Sequence, residues 1–385
     1  MEQKAVGTQV TLVNNLGDIS KCLPQWCRIT HDPFVLGVVK DGIVLDLCKL
    51  PLCHNVRPPT TFNAHRSAII DSELHLLCQK GVIQPTSLTD GAFVSTVFVT
   101  EKPDETFRMI LNLKKLNECV SYVHFKMESL QNVLQIIRSG VWMGSIDLKD
   151  AYYSVRVRPD QQKYFIFYWR HAYYEYIRMP NGYAQAPLLF TKILKKPFRF
   201  LRKHGLESVV YIDDSYLQGD TYEKCLDNLL TTQRLLTELG FKINCAKSVL
   251  TPCQRIKFLG FIIDSVAMTI SLSDERKLKI LKFCQRFHQE RRLSIREVAS
   301  AVGCLIAALP GVTYGALYYR LLERAKIAAL KATKPMVIPS YAFPDIEWWE
   351  KNVATATHVL HTPPWSSHIL MPALKVGVVP ILRRK

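Results

Sequence analysis

The stretch Val209-Val210-Tyr211-Ile212-Asp213-Asp214-Ser215-Tyr216-Leu217 decides the fold. β-Branched and aromatic residues flank a pair of acids, a strand, turn, strand pattern that sets Asp213 and Asp214 at a hairpin tip. Taken alone the pair is weak evidence, because Asp favours turns for local reasons. Its weight comes from a second stretch, Ser145-Ile146-Asp147-Leu148-Lys149-Asp150, which closes the strand predicted over residues 140–147 and puts Asp147 at its end. One carboxylate at a strand end and two on a neighbouring turn form an economical holder for two divalent cations, which prefer carboxylate oxygens. Two such ions about 4 Å apart serve nucleotidyl transfer, one activating the attacking hydroxyl and the other stabilising the leaving pyrophosphate.

Working outward, residues 93–100 read as a strand, Pro103-Asp104 as a turn and residues 107–113 as a returning strand, with Lys102 near the tip and Arg108 on the second arm. Residues 67–80 have helical spacing and Gly81 stands at the stop. After Pro187, the positions Phe190, Ile193, Leu194, Phe198 and Leu201 fall at helical intervals, and Pro197 is expected to kink or shorten that helix. Asp220 with Glu223 predicts a capping box for a helix that buries Leu226, Leu229, Leu230 and Leu236 and stops at Gly240. Ser273 with two following acids, and Ser294 with Glu297, open two further helices. Apolar runs such as Phe34–Val39 and Ile43–Leu45 read as an accessory β-rich segment before a Pro58-Pro59 linker. The fold class is therefore α+β, a mixed body followed by a helical appendage.

The chain has 385 residues, enough for two or three packed units, and carries 50 Lys+Arg against 33 Asp+Glu, a net charge of +17. Such an excess suits a polyanion, with nucleic acid the default partner. The 11 cysteines form no CxxC knuckle and are expected as reduced thiols of an intracellular protein. No secretory pattern, internal repeat or apolar run of bilayer-crossing length is expected, so no membrane partner is predicted.

These blocks, in order from Phe98 to Ile262, resemble the polymerase motifs of reverse transcriptases. The resemblance implies a right-hand palm fold with fingers over residues 59–117 and 155–180, a palm between and after them, and a helical thumb. The implied division is an N-terminal accessory segment 1–63, fingers and palm 64–268, thumb or connection 269–331, and a tail 332–385. Phe98 to Arg108 looks like the fingers hairpin, with Lys102 and Arg108 gripping the triphosphate of an incoming nucleotide. Asp147 to Tyr153 is similar to the first metal motif. There Asp147 joins Asp213 and Asp214 in holding two Mg2+ ions (Mn2+ is an alternative), while Asp150, Ala151 and Tyr152 contact the nucleotide. A tyrosine ring under the sugar leaves no room for a 2′-hydroxyl, which implies selection of dNTPs. Met179 to Pro187 looks like the block packing on the nascent base pair through Asn181 and Gly182. Leu239 to Ser248 resembles the block that supplies Lys247 as general acid, and Phe258-Leu259-Gly260 the primer grip. The implied partners are an RNA template, a DNA primer, their RNA–DNA hybrid and dNTPs.

The likeness is closest to reverse transcriptases of tyrosine-recombinase (DIRS-like) retrotransposons, through residues 124–128, 145–152 and 258–265, and extends to residues 294–319 and Trp348-Trp349. Two departures stand out. Asn112 and Lys114 replace an acid and a base usual after the second fingers strand. Residues 369–377 resemble the first strand of a ribonuclease H domain, but Pro372 stands where its acid belongs, so that activity is not expected. The alternative reading is a truncated, catalytically silent transposon relic or a nucleic-acid-binding protein.

Overall fold

The computed structural model describes residues 16–51, 62–101, 107–290, 292–332 and 336–360. Lys102, the Pro58-Pro59 linker and the ribonuclease H-like strand lie outside these residues.

The N-terminal segment is helical, which corrects the β-rich expectation. α1 (Leu23–Ile29) and α2 (Pro33–Asp41) both carry Pro in the first turn, where a missing N–H costs nothing. Asp32 caps α2 by accepting from the Phe34 and Val35 amides. Val35, Val38 and Val39 then fall on one buried face, the helical spacing inside an apolar run that also reads as a strand.

α3 (Ala64–Gln79) starts at an Asn63 cap and leads to β1 (Ile83–Thr86), β2 (Val94–Glu101) and β3 (Phe107–Asn112). After the short α4 (Lys114–Asn117) come α5 (Leu130–Ile136), β4 (Trp142–Asp147), β5 (Ile166–Trp169) and β6 (Ala172–Tyr176). The first sheet has the order β1-β6-β5-β2-β3, with β2 and β3 forming the expected hairpin.

α6 (Ala186–Lys203) runs through Pro197 rather than ending early. The missing amide would have met the Ile193 carbonyl, and burial of Pro197 beside Ile193, Leu194, Phe198 and Leu201 offsets that loss. β7 (Glu207–Tyr211) and β8 (Asp214–Gly219) follow, then α7 (Tyr222–Glu238) and β9 (Val249–Cys253). Thr221, not Asp220, caps α7 by accepting from the Lys224 amide. Asp220 is drawn instead to Arg138, at 2.6 Å. Leu229 and Leu236 face inward as expected, whereas Leu230 is half exposed.

The second sheet, β7-β8-β4-β9, is the frame of the site. Its strands alternate between two cores, as a two-sided sheet must. Ile146 and Leu217 enter the core shared with α6, α7 and the N-terminal helices. Met143, Val209 and Tyr216 enter a second core beneath a third sheet.

That third sheet is β10 (Arg255–Phe258), β11 (Phe261–Asp264), β12 (Thr269–Leu272) and β13 (Thr357–Val359), paired in that order. Around it pack α8 (Asp274–Gln289), α9 (Ile295–Ala308), α10 (Arg320–Ala332) and α11 (Phe343–Asn352). Ser294 and Glu297 form the expected capping box. Because β13 pairs with β12, residues 336–360 share one packed unit with the helices before them. No described helix is long and apolar enough to cross a membrane, and the described cysteines are free thiols.

Candidate active site

β4 and β8 pair antiparallel in a register that sets Asp147 directly opposite Asp214. β7 and β8 pair through Tyr211 and Asp214, leaving Ile212-Asp213 as a two-residue turn. Ile212 adopts φ +56° at the first turn position, where hairpins normally place glycine. A β-branched residue in that region is strained, typically by about 1–3 kcal/mol. The Leu148 amide donates to the Asp213 carbonyl at 3.1 Å, tying the turn to the end of β4.

The other wall is the loop that follows α7. Its Asn244 amide donates to the Asp147 carbonyl at 2.8 Å, and Lys149 donates its amide to the Lys242 carbonyl at 2.8 Å. The Asp147 amide donates to Ser248 Oγ at 3.0 Å. The backbone on both sides of Asp147 is thus fixed by one loop, the loop that carries Lys247.

The walls enclose an open cleft of about 410 Å³. Asp147, Asp150, Ala151, Tyr152, Asn181, Asp213 and Lys247, all singled out from the sequence, line it. Asp214, opposite Asp147 in the strand register, is not among the lining residues. Gly182 follows Asn181 with φ +89°, a conformation that favours glycine. Asn117 grips that turn, donating to the Gly182 carbonyl and accepting from the Ala184 amide, both at 2.9 Å. Tyr152 is half-buried and meets Phe190 edge to face at 5.3 Å. Asp150, itself at φ +51°, is held at 2.9 Å by Lys80, the residue that follows α3.

The sequence reading missed Lys80, Lys149, Tyr153 and Asn244. Tyr153, Lys149 and Asn244 sat inside blocks already described, but Lys80 meets Asp150 through a long-range ion pair that carries no local signal. Conversely, Phe258, Leu259 and Gly260 do not line the cleft. Leu259 and Gly260 make the tight two-residue turn after Phe258, the last residue of β10, with Leu259 at φ +47° and Gly260 at φ +76°. The Ser273 amide donates to the Gly260 carbonyl at 3.1 Å, and the Arg276 guanidinium lies over the Phe261 ring at 4.4 Å. Arg108 lies on β3, opposite Thr100.

Electrostatics mark the acids out. Burial pushes the Asp214 carboxyl up to about 6, helped by the charges of Asp213 and Asp147 and by a hydrogen bond with Asp147, while Lys247 opposes the rise. Burial likewise raises Asp213; its own backbone amide and Lys247 pull the other way, and Asp147 adds to the rise. Burial raises the Tyr152 hydroxyl to about 12, with Asp213 and Tyr211 contributing. Lys247 itself is exposed. The protein alone therefore does not supply the desolvated ammonium that acid catalysis by lysine requires.

Hard divalent cations fit this donor set, since carboxylates crowded against one another are stabilised by a shared positive charge. Among the described residues, however, no group of three or more His, Cys, Asp or Glu is already arranged to hold a metal ion. The strand register brings Asp147 opposite Asp214, with Asp213 next to it in the turn.

Residues 100–263 match a family model described as reverse transcriptase (RNA-dependent DNA polymerase). A Gag-Pol polyprotein of avian reticuloendotheliosis virus is 27% identical over 215 residues, covering 53% of this chain and 18% of the polyprotein. A retrovirus-related Pol polyprotein from transposon opus of Drosophila melanogaster is 23% identical over 197 residues, covering 50% of this chain and 19% of that protein. The chain therefore spans less than a fifth of either relative. Among solved structures, a foamy viral protease-reverse transcriptase in complex with dsDNA superposes with a TM-score of 0.65 at 21% identity, covering 82% of this chain and 63% of the other. The same viral enzyme in complex with an RNA/DNA hybrid gives 0.65 at 18% identity, covering 92% and 48%. The fold is the α+β palm polymerase fold.

Proposed function

We propose that residues 100–263, which match the reverse transcriptase family model, are a reverse transcriptase domain of the retroviral and retrotransposon Pol type, and that the chain is an RNA-directed DNA polymerase. It extends a DNA primer on an RNA template with dNTPs. The observation that carries this reading is the register setting Asp147 opposite Asp214, beside a cleft lined by Asp147, Tyr152, Asp213 and Lys247.

Asp147, Asp213 and Asp214 are the residues that would hold two Mg2+ or Mn2+ ions. When bound, such ions lower the pKa of the primer hydroxyl and neutralise the leaving pyrophosphate. The chain's own residues bind and orient. The edge of Phe190 fixes the ring plane of Tyr152, which receives the sugar and excludes a 2′-hydroxyl. Asn181 and Gly182, gripped by Asn117, face the nascent base pair, while Asp150 and Ala151 shape the turn beneath the nucleotide. Lys247, exposed at the cleft rim, protonates the leaving pyrophosphate once a bound nucleotide shields it from water. Lys102 and Arg108 contact the triphosphate. The Phe258-Leu259-Gly260 turn, outside the cleft, contacts the primer backbone.

The net charge of +17 supports binding of a template–primer hybrid through its phosphates, with affinity falling steeply as salt rises. Reduced cysteines accord with an intracellular site of action. The three stretches quoted earlier favour a tyrosine-recombinase retrotransposon as the source. A recombinase coding region beside the gene would support that origin, and an integrase in its place would remove it.

The deciding experiment is extension of a DNA primer on an RNA template by the purified chain with Mg2+. Full extension by an Asp213→Ala, Asp214→Ala double variant would falsify the assignment of the acids. Hybrid binding without extension by the parent chain would leave a binding protein only.

A further inference from the structure

The N-terminal helix α1 is linked to the cleft by a chain of edge-to-face ring contacts. Trp26 of α1 is fully buried and meets Phe241 edge to face at 6.1 Å and 70°. Phe241 meets Phe190 at 6.0 Å and 86°, and Phe190 meets Tyr152 at 5.3 Å and 82°. Trp26 also donates Nε1–H to the Leu239 carbonyl at 3.0 Å, which fixes its own ring. Close-packed rings cannot tilt independently, so the first ring restrains the last.

A second contact joins the same parts by another route. The Asp18 amide donates to the Gly240 carbonyl at 2.8 Å. Gly17 lies so close that a Cβ there would sit 2.8 Å from Gly240 O, 3.2 Å from Lys242 N and 3.4 Å from Ser154 Cβ. Residue 17 is thus wedged between the end of the turn bearing Tyr152 and the start of the loop bearing Lys247. Asp18, immediately after the wedge, binds Arg156 at 2.8 Å and Arg178 at 2.9 Å, on the segments that lead into and out of the first sheet.

We propose that Trp26 and Gly17 are positioning residues for sugar selection. The N-terminal segment sets the ring of Tyr152 through Phe241 and Phe190, and spaces the two cleft walls at Ser154 and Lys242. The inference rests on Tyr152 being the sugar-facing residue, and assigns the segment before residue 63 a part in choosing the nucleotide.

The test is competitive single-nucleotide incorporation of a dNTP against the matching rNTP by the full chain. The ratio of the two kcat/KM values is the readout, because loss of folded enzyme lowers both rates alike and leaves their ratio unmoved. Displacements of about 1 Å far from the chemistry can cost on the order of 100-fold. Trp26→Leu and Gly17→Ala are therefore expected to lower the dNTP preference about tenfold, through sub-ångström shifts. Trp26→Phe, which keeps a ring, is expected to hold the parent ratio. If Trp26→Leu does not accumulate, Gly17→Ala and Phe241→Leu carry the same comparison. Tyr152→Ala separates the two levels of the argument. A parent ratio in Tyr152→Ala removes the sugar-facing reading itself. A lowered ratio in Tyr152→Ala, with parent ratios in Trp26→Leu and Gly17→Ala, overturns the present inference and leaves those residues as core packing.

Discussion

Replacing Asp214 with asparagine should make the metal-free protein more stable while abolishing polymerisation. Asp214 is a part-buried carboxyl beside Asp147 and Asp213, raised from 3.8 to about 6 by burial and by those neighbours. At about 1.4 kcal/mol for each tenfold change in proton affinity, holding it ionised in the fold costs roughly 3 kcal/mol. The group is partly open to water, so screening reduces the figure to about 1–2 kcal/mol. Asparagine has the same shape and no charge. Below 3.8 the acid is protonated both folded and unfolded, so no penalty exists. Between 3.8 and about 6 the unfolded chain sheds the proton while the folded chain keeps it, and the penalty grows with pH. Above about 6 it is complete. With a chelator at about pH 8, Asp214→Asn should therefore raise Tm by about 1–3 °C, with roughly half that gain near pH 5. Adding Mg2+ should stabilise the parent more than the variant and close the gap, because the ion relieves the crowding that asparagine has already removed. Chelated thermal melts of both proteins across pH, repeated with Mg2+, measure all of this. An equal or lower Tm for the variant at high pH would show that the three acids are not crowded, and the argument for a cation among them would go with it.

Gly240→Ala should destabilise by at least about 2 kcal/mol, since φ +91° disfavours any side chain and the new Cβ would lie 2.5 Å from the Asp18 carbonyl oxygen; urea denaturation reads the loss, and a parent-like midpoint would refute the close approach. Asp18→Asn should cost about 3 kcal/mol near neutral pH, because Arg178 is buried and would lose its charged partner. Burial alone would raise the Asp18 carboxyl, but hydrogen bonds from Arg178, Arg156 and Ser20 hold it well below the usual carboxylate range. Its contribution is therefore present above the ordinary value of 3.8 and lost as pH falls toward the depressed one, so denaturation curves of parent and variant should converge in strong acid. Lys247→Ala should lower kcat by about 100-fold or more while leaving hybrid affinity near the parent value; an unchanged kcat in single-turnover incorporation removes the lysine from the chemistry.

The acids and the hairpin between them were legible because their signals are local: a β-branched run, two turn-favouring residues, another run. Helix caps at Ser294 and the stop at Gly240 were legible for the same reason. What failed was read from composition without its flanks. Phe34–Val39 contains enough valine to pass for a strand, but Asp32 and Pro33 immediately before it start a helix. Asp220 was a sound cap by type, and lost the role because Arg138, far away in sequence, offered it a guanidinium. Pro197 shows tertiary burial overriding a local penalty. The pairing of β13 with β12 joins residues as far apart as Thr269 and Val359, and no local pattern announces such a partner. Lys80 met Asp150 unannounced for that same reason.

Two strained backbone positions and two raised carboxyls meet where the chemistry is proposed. Ile212 and Asp150 both hold positive φ, and two of the three acids are raised by burial and by one another. A fold keeps such features when the surroundings over-determine them. Here they do: Lys80 holds Asp150, the Leu148 amide holds the Asp213 carbonyl, and Asn244 and Ser248 fix the backbone of Asp147 from both sides. None of these restraints uses the carboxylate oxygens of Asp213, and the Asp147 restraints are all to its backbone. The main chain around these acids is thus held by contacts that involve no ion. Ion binding at this site should accordingly leave backbone amide protection at Asp147 and Leu148 unchanged while restricting the side chains. A site whose register had to form around the metal would instead gain protection along β4 and β8.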